Sequence, residues 1–414
     1  MLKRRKRPSP WRIIFLLILV AGALYFNQVI VPATPPLFIP TPTATRSPES
    51  FVSEAENLLE QGKISLAIDA YYDAIQADPR NASNFVTISR LQIYSAEYIA
   101  ALENAENALL INQNNAMAHA LRGWALGFLG EYLDAEGALN RAIEIDPNNL
   151  AAYAYLTEVL ARKVQDGQGE LGTLDKAVEA SRTAMDLSRN SLETYRARGI
   201  VLEVTGNYAE AVTELESAVA LNTNIADLHL ALGRNYRYLG IYDKAVEEFN
   251  RANALNPSDP LPDTYISRTY LTVGEYAKAI QYAIQALKDD PTNPYYYGNL
   301  GTMYYRNNQY LDSISAFRIA ITGGVNEEGV EIEGLPLDYG RISEYYQLYG
   351  LSLARSGECG EALQISQAML QGVPNDEFAT YNAEEIVSIC KDIADNPPTA
   401  IPTEEMEITE TTIP

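Results

Sequence analysis

A tyrosine returns every 34 residues in this chain, at Tyr208, Tyr242, Tyr276 and Tyr310, with Tyr98 and Tyr132 continuing the series upstream. A fixed period of this length marks a solenoid, in which one supersecondary unit stacks on copies of itself. Three residues after each of the first four comes a small residue (Ala211, Ala245, Ala279, Ser313), and ten after comes alanine (Ala218, Ala252, Ala286, Ala320). Nine before stands another small one: Gly199, Gly233, Ser267 and Gly301. Small residues let two helix axes cross closely while bulky neighbours fill the gaps. The expected unit is a pair of antiparallel helices, and the expected fold class is all-α.

Each unit also closes on a turn of one kind: Asp78-Pro79, Asp146-Pro147, Asn256-Pro257 and Asp290-Pro291. Proline stops one helix and opens the next unit. With these turns added to the small and aromatic spacing, the chain resembles the tetratricopeptide repeat family. The resemblance implies a right-handed α-solenoid of about nine helix-turn-helix repeats, beginning near Pro48, Ala82, Ala116, Leu150, Leu192, Ala226, Pro260, Pro294 and Ser343. Gln113 and Thr223 stand where proline is expected, and Cys359 replaces the tyrosine of the ninth repeat. An eight-residue insertion lies around 165–172, and about fifteen extra residues fall within 323–342. Both are rich in glycine, which predicts loops or a small hairpin. Residues 377–395 read as one more helix, with Ile386, Ile389 and Ile393 on one face, capping the last apolar surface.

The ends have a different chemistry. The basic run Lys3 to Arg7 precedes an apolar stretch over 13–31, close to the ~20 residues that span a bilayer. It reads as a single-pass signal anchor with residues 1–12 cytoplasmic and the repeats extracytoplasmic, by the positive-inside rule. A cleaved signal peptide is the competing reading, because Ala21-Gly22-Ala23 offers a small-residue site. Residues 32–47, rich in proline and threonine, form a semi-rigid linker. The repeats then occupy 48–376, the capping helix 377–395, and an acidic proline- and threonine-rich tail, expected to be disordered, 396–414.

The formal net charge is −23, and the first twelve residues carry +6, which leaves −29 on the remainder. Such a body repels phosphate backbones and argues against nucleic acid as a partner. The two cysteines, Cys359 and Cys390, fall at the start of one helix and near the end of the next, where antiparallel packing brings them together. They are a disulfide candidate in an oxidising compartment, the alternative being two buried thiols.

Enzymes need a nucleophile with its base, paired carboxylates in a cleft, a metal cluster or a phosphate-cradling loop. The sequence offers none of these, so the expectation is a non-catalytic protein without cofactor or metal. His119 and His229 occupy the same repeat position and read as structural.

The resemblance instead directs attention to a concave face lined by the first helices, into which the second, fifth, ninth, twelfth and thirteenth positions of each repeat point. That rule selects Arg196, Arg234, Arg237, Tyr238, Arg268, Tyr305, Arg306 and Arg355 across repeats 5 to 9, and Trp124 and Phe128 nearer the N-terminus. Arginine suits bidentate capture of carboxylates, and tyrosine adds apolar area with a polar tip. The expectation is a membrane-anchored scaffold whose groove binds a protein or peptide with an acidic or carboxylate-ended segment. Some grooves of the family clamp carboxylates with lysine and asparagine, a set that Arg234 and Arg268 do not reproduce. One alternative is that the arginines pair internally, with Asp227 or Glu203. Others are that the aromatic and arginine face binds envelope carbohydrate, or that the acidic tail occupies the groove. Trp124 and Phe128 are read either as an exposed contact or as part of the stack.

Overall fold

The computed structural model describes residues 10–30, 46–326 and 329–396. The basic run, most of the linker and the acidic tail lie outside the described residues. Helix α1 (Pro10–Tyr25) runs into a short π-helical turn (Phe26–Ile30). Within it Pro10–Gln28, 19 residues, is long and apolar enough to cross a membrane.

The repeats follow as helical hairpins. They are α2 (Pro48–Glu60) with α3 (Ile64–Ala77), α4 (Ala82–Tyr94) with α5 (Tyr98–Ile111), and α6 (Ala116–Phe128) with α7 (Tyr132–Ile145). Next come α8 (Leu150–Gln165) with α9 (Thr173–Leu187), α10 (Leu192–Val204) with α11 (Tyr208–Leu221), and α12 (Ala226–Tyr238) with α13 (Tyr242–Leu255). The last three are α14 (Pro260–Thr272) with α15 (Tyr276–Asp289), α16 (Pro294–Arg306) with α17 (Tyr310–Thr322), and α18 (Arg341–Arg355) with α19 (Cys359–Gly372). Helix α20 (Glu377–Asp395) packs on both helices of the ninth hairpin. That hairpin opens at Arg341, two residues ahead of Ser343, because left-handed Gly340 (φ 75°) ends the insertion and leads straight into the helix.

The small residues do what their spacing implies. A Cβ on Gly199 would sit 2.6 Å from Leu215, one on Gly233 2.6 Å from Phe249, and one on Gly301 2.8 Å from Phe317. Ser267 fits the same slot because its hydroxyl donates to the Ala279 carbonyl at 2.7 Å. Gly233→Ala therefore drives a methyl into the Phe249 ring, and overpacking of this kind costs about 1–3 kcal/mol. Urea denaturation should show the midpoint falling accordingly; an unchanged midpoint would contradict the close crossing.

Local chemistry also sets the helix starts. Asn81, Asn115, Asn149, Ser191, Asp259 and Asn293 each accept a backbone N–H from the first turn that follows, which supplies partners for otherwise orphaned donors. The sixth repeat has Ile225 at this position and no side-chain cap. Two repeats that lack the turn proline, those entered at Gln113 and Thr223, use histidine. His119 Nε2 lies 3.0 Å from the Gln113 carbonyl, and His229 Nε2 lies 3.0 Å from the Thr223 carbonyl.

The first insertion lengthens α8 to 16 residues and leaves a loop before α9, with the Tyr132 hydroxyl donating to the Asp166 carboxylate. The second forms a short antiparallel pair, β1 (Gly324–Val325) with β2 (Glu331–Ile332). Leu335 N–H to the Ala320 carbonyl and the Tyr346 hydroxyl to the Leu335 carbonyl hold it to the stack. Cys359 and Cys390 are joined as a disulfide, with Cα atoms 5.5 Å apart, tying α19 to α20.

From α4 to α18 successive first helices approach one another more closely than successive second helices, so the first helices lie on the inside of the curve. That contact is closest along α6, α8 and α10. The curve is tight enough for the first two repeats to meet the fifth and sixth. A Cβ on Gly62 would lie 3.0 Å from the Asn224 side chain, and Tyr94 packs against the core that contains Ile225 and Leu228.

Candidate functional site

The inner face divides into a sealed part and an open part. In the sealed part Trp124, 1% exposed, stacks on Tyr155 with ring centroids 4.0 Å apart, and Tyr94 meets it edge-on at 6.0 Å. Its Nε1 donates to Glu158 Oε2 at 2.9 Å, and Arg196 Nε donates to Glu158 Oε1 at 2.8 Å. Arg196 also reaches Asp227 and covers the Trp124 ring at 5.0 Å. A chain of opposite charges thus crosses α8, α10 and α12, with Glu158 and Arg196 almost closed to water and Asp227 partly exposed. Burial raises the Glu158 carboxyl above its ordinary range even with Arg196 beside it. For Asp227 burial acts in the same direction, but Arg196, Arg162 and Arg234 outweigh it and hold that carboxyl low.

Arg234 is likewise engaged. Its Nε and Nη2 donate to Glu203 at 2.8 and 3.0 Å, a bidentate pair that Asn235 joins at 3.1 Å. Phe128 lies between the Tyr98 ring, stacked at 4.3 Å, and the Arg162 guanidinium at 4.2 Å. Four residues selected by position are therefore corrected as groove contacts, in favour of the stacking and the internal pairing with Asp227 and Glu203 that the sequence left open. Trp124 and Arg196 belong to the interior, Phe128 is sandwiched within the closed curve, and Arg234 is spent on Glu203. Tyr305 is a fifth correction: it is buried, covered by Arg355 at 5.3 Å. In each case neighbouring repeats supply the partner that a single repeat cannot show.

The open part begins at the sixth repeat. Gly298 leaves room for the Tyr345 ring, since a Cβ there would lie 2.3 Å from it. The Tyr345 hydroxyl donates to Asn299 Oδ1 at 3.0 Å, and Arg268 Nη2 donates to the same oxygen at 2.9 Å. Arg268 forms no ion pair among the described residues, and its Nε is buried without an acceptor. Arg237 is in the same condition: its Nε is buried without an acceptor, and its guanidinium rests over Tyr238 at 5.5 Å. Burial lowers the Arg268 guanidinium, and the like charges of Arg341 and Arg237 add to that.

Three arginines thus share one stretch of the inner face. Among the described residues Arg341 forms one ion pair, a long contact of 3.9 Å to Glu344. Tyr238, 53% exposed and stacked on Tyr208 at 4.5 Å, and half-exposed Tyr295 flank them. Exposed Arg306 and Arg355 continue the line, with Arg355 donating to the Tyr310 hydroxyl at 3.1 Å. Arg341 escaped the sequence reading because it lay inside the presumed insertion.

Comparison with known proteins gives a consistent family. Models of the tetratricopeptide repeat match residues 118–149, 226–259 and 266–324. Tetratricopeptide repeat protein 28 of Mus musculus is 30% identical over 137 residues, covering 31% of this chain and 6% of that protein. The tetratricopeptide repeat and J domain-containing co-chaperone DNJ1 of Cryptococcus neoformans is 28% identical over 155 residues, covering 37% of this chain and 30% of that one. The chain thus spans less than a third of the length of these curated relatives. A crystal structure of a tetratricopeptide repeat protein from Parabacteroides merdae aligns with 62% of this chain and 98% of its own, at 15% identity and a TM-score of 0.39.

Proposed function

We propose, from the premise that this chain is a tetratricopeptide repeat protein, that it is a non-catalytic scaffold binding an acidic segment of a partner protein along the inner face of repeats 6 to 9. One observation carries the reading: Arg237 and Arg268 each hold a buried Nε with no acceptor, whereas Arg196 and Arg234 on the same face are ion-paired to Glu158 and Glu203. A buried donor left unmade costs about 1–3 kcal/mol, so a carboxylate that meets both gains that term as well as its charge-assisted bonds. Arg341 adds a third positive charge, and Tyr238 and Tyr295 offer apolar faces to an extended backbone. A few charge-assisted bonds of about 1.5–3 kcal/mol each support micromolar affinity after ordering costs.

Helix α1 completes the proposal as a single-pass anchor, with the repeats on the far side of the membrane from the basic N-terminus. The scaffold would then present its groove to partners at that surface.

The test uses the full chain in detergent micelles, titrated with fluorescent glutamate-rich peptides and their glutamine counterparts at about 50 and about 300 mM salt. Glutamate peptides should bind, lose roughly tenfold or more in affinity at the higher salt, and fail on an Arg237→Glu/Arg268→Glu variant. Equal binding of the glutamate and glutamine peptides would reject the reading.

A further inference from the structure

The fourth residue of the first helix is a ring in most repeats: Phe51, Phe85, His119, Tyr153, Tyr195, His229 and Tyr297. In the seventh repeat it is Asp263, which is 1% exposed. At this position His119, His229 and Tyr297 each reach the backbone carbonyl six residues upstream, so the slot lies against the turn that enters the repeat. A carboxylate placed there has lost its water and needs donors in return.

Asp263 finds one donor. Its Oδ1 accepts from Asn253 Nδ2 of α13 at 3.1 Å. On α15, Asp289 Oδ1 accepts from Gln285 Nε2 at 3.1 Å. The two Oδ2 atoms are buried and have no donor, and the two carboxyl groups lie within hydrogen-bonding reach of each other. The surroundings add no compensating cation. Asp259, ahead of α14, contributes further negative charge, and Tyr282 of α15 is the neutral titratable group nearby. On α13, Glu248 is engaged by His229 and Arg251. Lys288 lies in an outer cleft with Leu287 and Tyr304, and neither aspartate has an ion pair among the described residues.

We propose that Asp263 and Asp289 share one proton, which makes the joint between α14 and α15 a pH-responsive element of the seventh repeat. One proton satisfies both orphaned oxygens, as donor from one carboxyl and acceptor on the other; two ionised carboxylates in this slot repel. Burial, followed by the charge and hydrogen bond of Asp289, pushes Asp263 up to about 6 from the ordinary 3.8. The folded value lies above the unfolded one. The stabilisation is therefore complete below about pH 4 and is lost as pH rises through about 6. Arg268 lies five residues further along α14, so the same helix carries the joint and one wall of the open groove.

The experiment measures unfolding of the full chain against pH, beside Asp263→Asn and Asp289→Asn. An amide at either position donates permanently to the remaining carboxylate, so both variants should be favoured over the native chain at pH 8 and lose that advantage near pH 4. The native-to-variant ratio of folding equilibria should change by roughly a hundredfold across that range, since two pH units separate the folded and unfolded values. A ratio independent of pH would overturn the proposal. Carboxyl-carbon NMR of the aspartate-labelled chain gives a second reading, free of folding effects. A midpoint near 6 that vanishes in Asp263→Asn is expected, and ordinary midpoints near 4 throughout would overturn it.

Discussion

Arg196→Met should destabilise the folded chain by about 3–5 kcal/mol at neutral pH, the largest loss expected from any single side chain on the inner face. The substitution keeps most of the apolar stem but removes the one cation paired with Glu158 among the described residues, a carboxyl 3% exposed and already raised by burial. Trp124 Nε1 remains as one donor, too little to hold an isolated carboxylate in that environment. The deficit should shrink toward acid pH. In the variant the folded Glu158 pKa rises further above its unfolded value, so stability is retained below the unfolded pKa and lost as pH increases. Adding Glu158→Gln should restore much of the loss, because the amide still accepts from Trp124 and carries no charge. Chemical denaturation of the single and double variants between about pH 4 and 8 checks both parts. A loss under about 1 kcal/mol for Arg196→Met would show that the buried pair is not formed.

Breaking the Cys359–Cys390 bridge should remove about 3–4 kcal/mol, by the chain-entropy estimate for a 31-residue separation. In a solenoid that loss stays local, because each unit meets only its neighbours. Cys390→Ser, or reduction of the native chain, should therefore speed amide hydrogen exchange in α19 and α20 while α10 to α13 keep their protection. Exchange that is unchanged on reduction would mean that the two sulfurs are not joined in solution. Uniform acceleration would mean that the repeats unfold as one unit.

The periodic part of the molecule was legible in the sequence because every repeat solves the same steric problem. Gly199, Gly233 and Gly301 are read directly from spacing, since any Cβ would strike the facing second helix. Asp227 and Glu203 were legible as candidate partners of the inner arginines, but which arginines would pair was not, because it depends on which carboxylate lies one repeat away. Arg234 meets Glu203 across 31 residues, whereas Arg196 meets Glu158 across 38, the insertion after α8 having shifted the register. Position within a repeat treats the two alike and cannot tell a paired guanidinium from an unpaired one.

The burial of Trp124 and Phe128 has a related cause. It follows from the tightness of the curve through α6, α8 and α10 and from the return of the first two repeats onto the fifth and sixth. Nearest-neighbour stacking alone does not encode that closure. Asp263 stands in the sequence where most repeats have a ring, a departure that the tyrosine and small-residue spacing does not bring out, and its meaning required Asp289, on the facing helix and 26 residues away.

The central claim is that Arg237, Arg268 and Arg341 form the recognition surface for an acidic partner segment. The most direct measurement is quantitative affinity capture from envelope extract by the full chain in detergent, beside an Arg237→Glu/Arg268→Glu/Arg341→Glu variant. A second variant reversing an arginine remote from the groove, Arg141→Glu, controls for net charge. The account predicts a protein retained by the native chain and by Arg141→Glu, lost by the triple variant, and released by competing glutamate-rich peptide. Equal capture by the triple variant would contradict it.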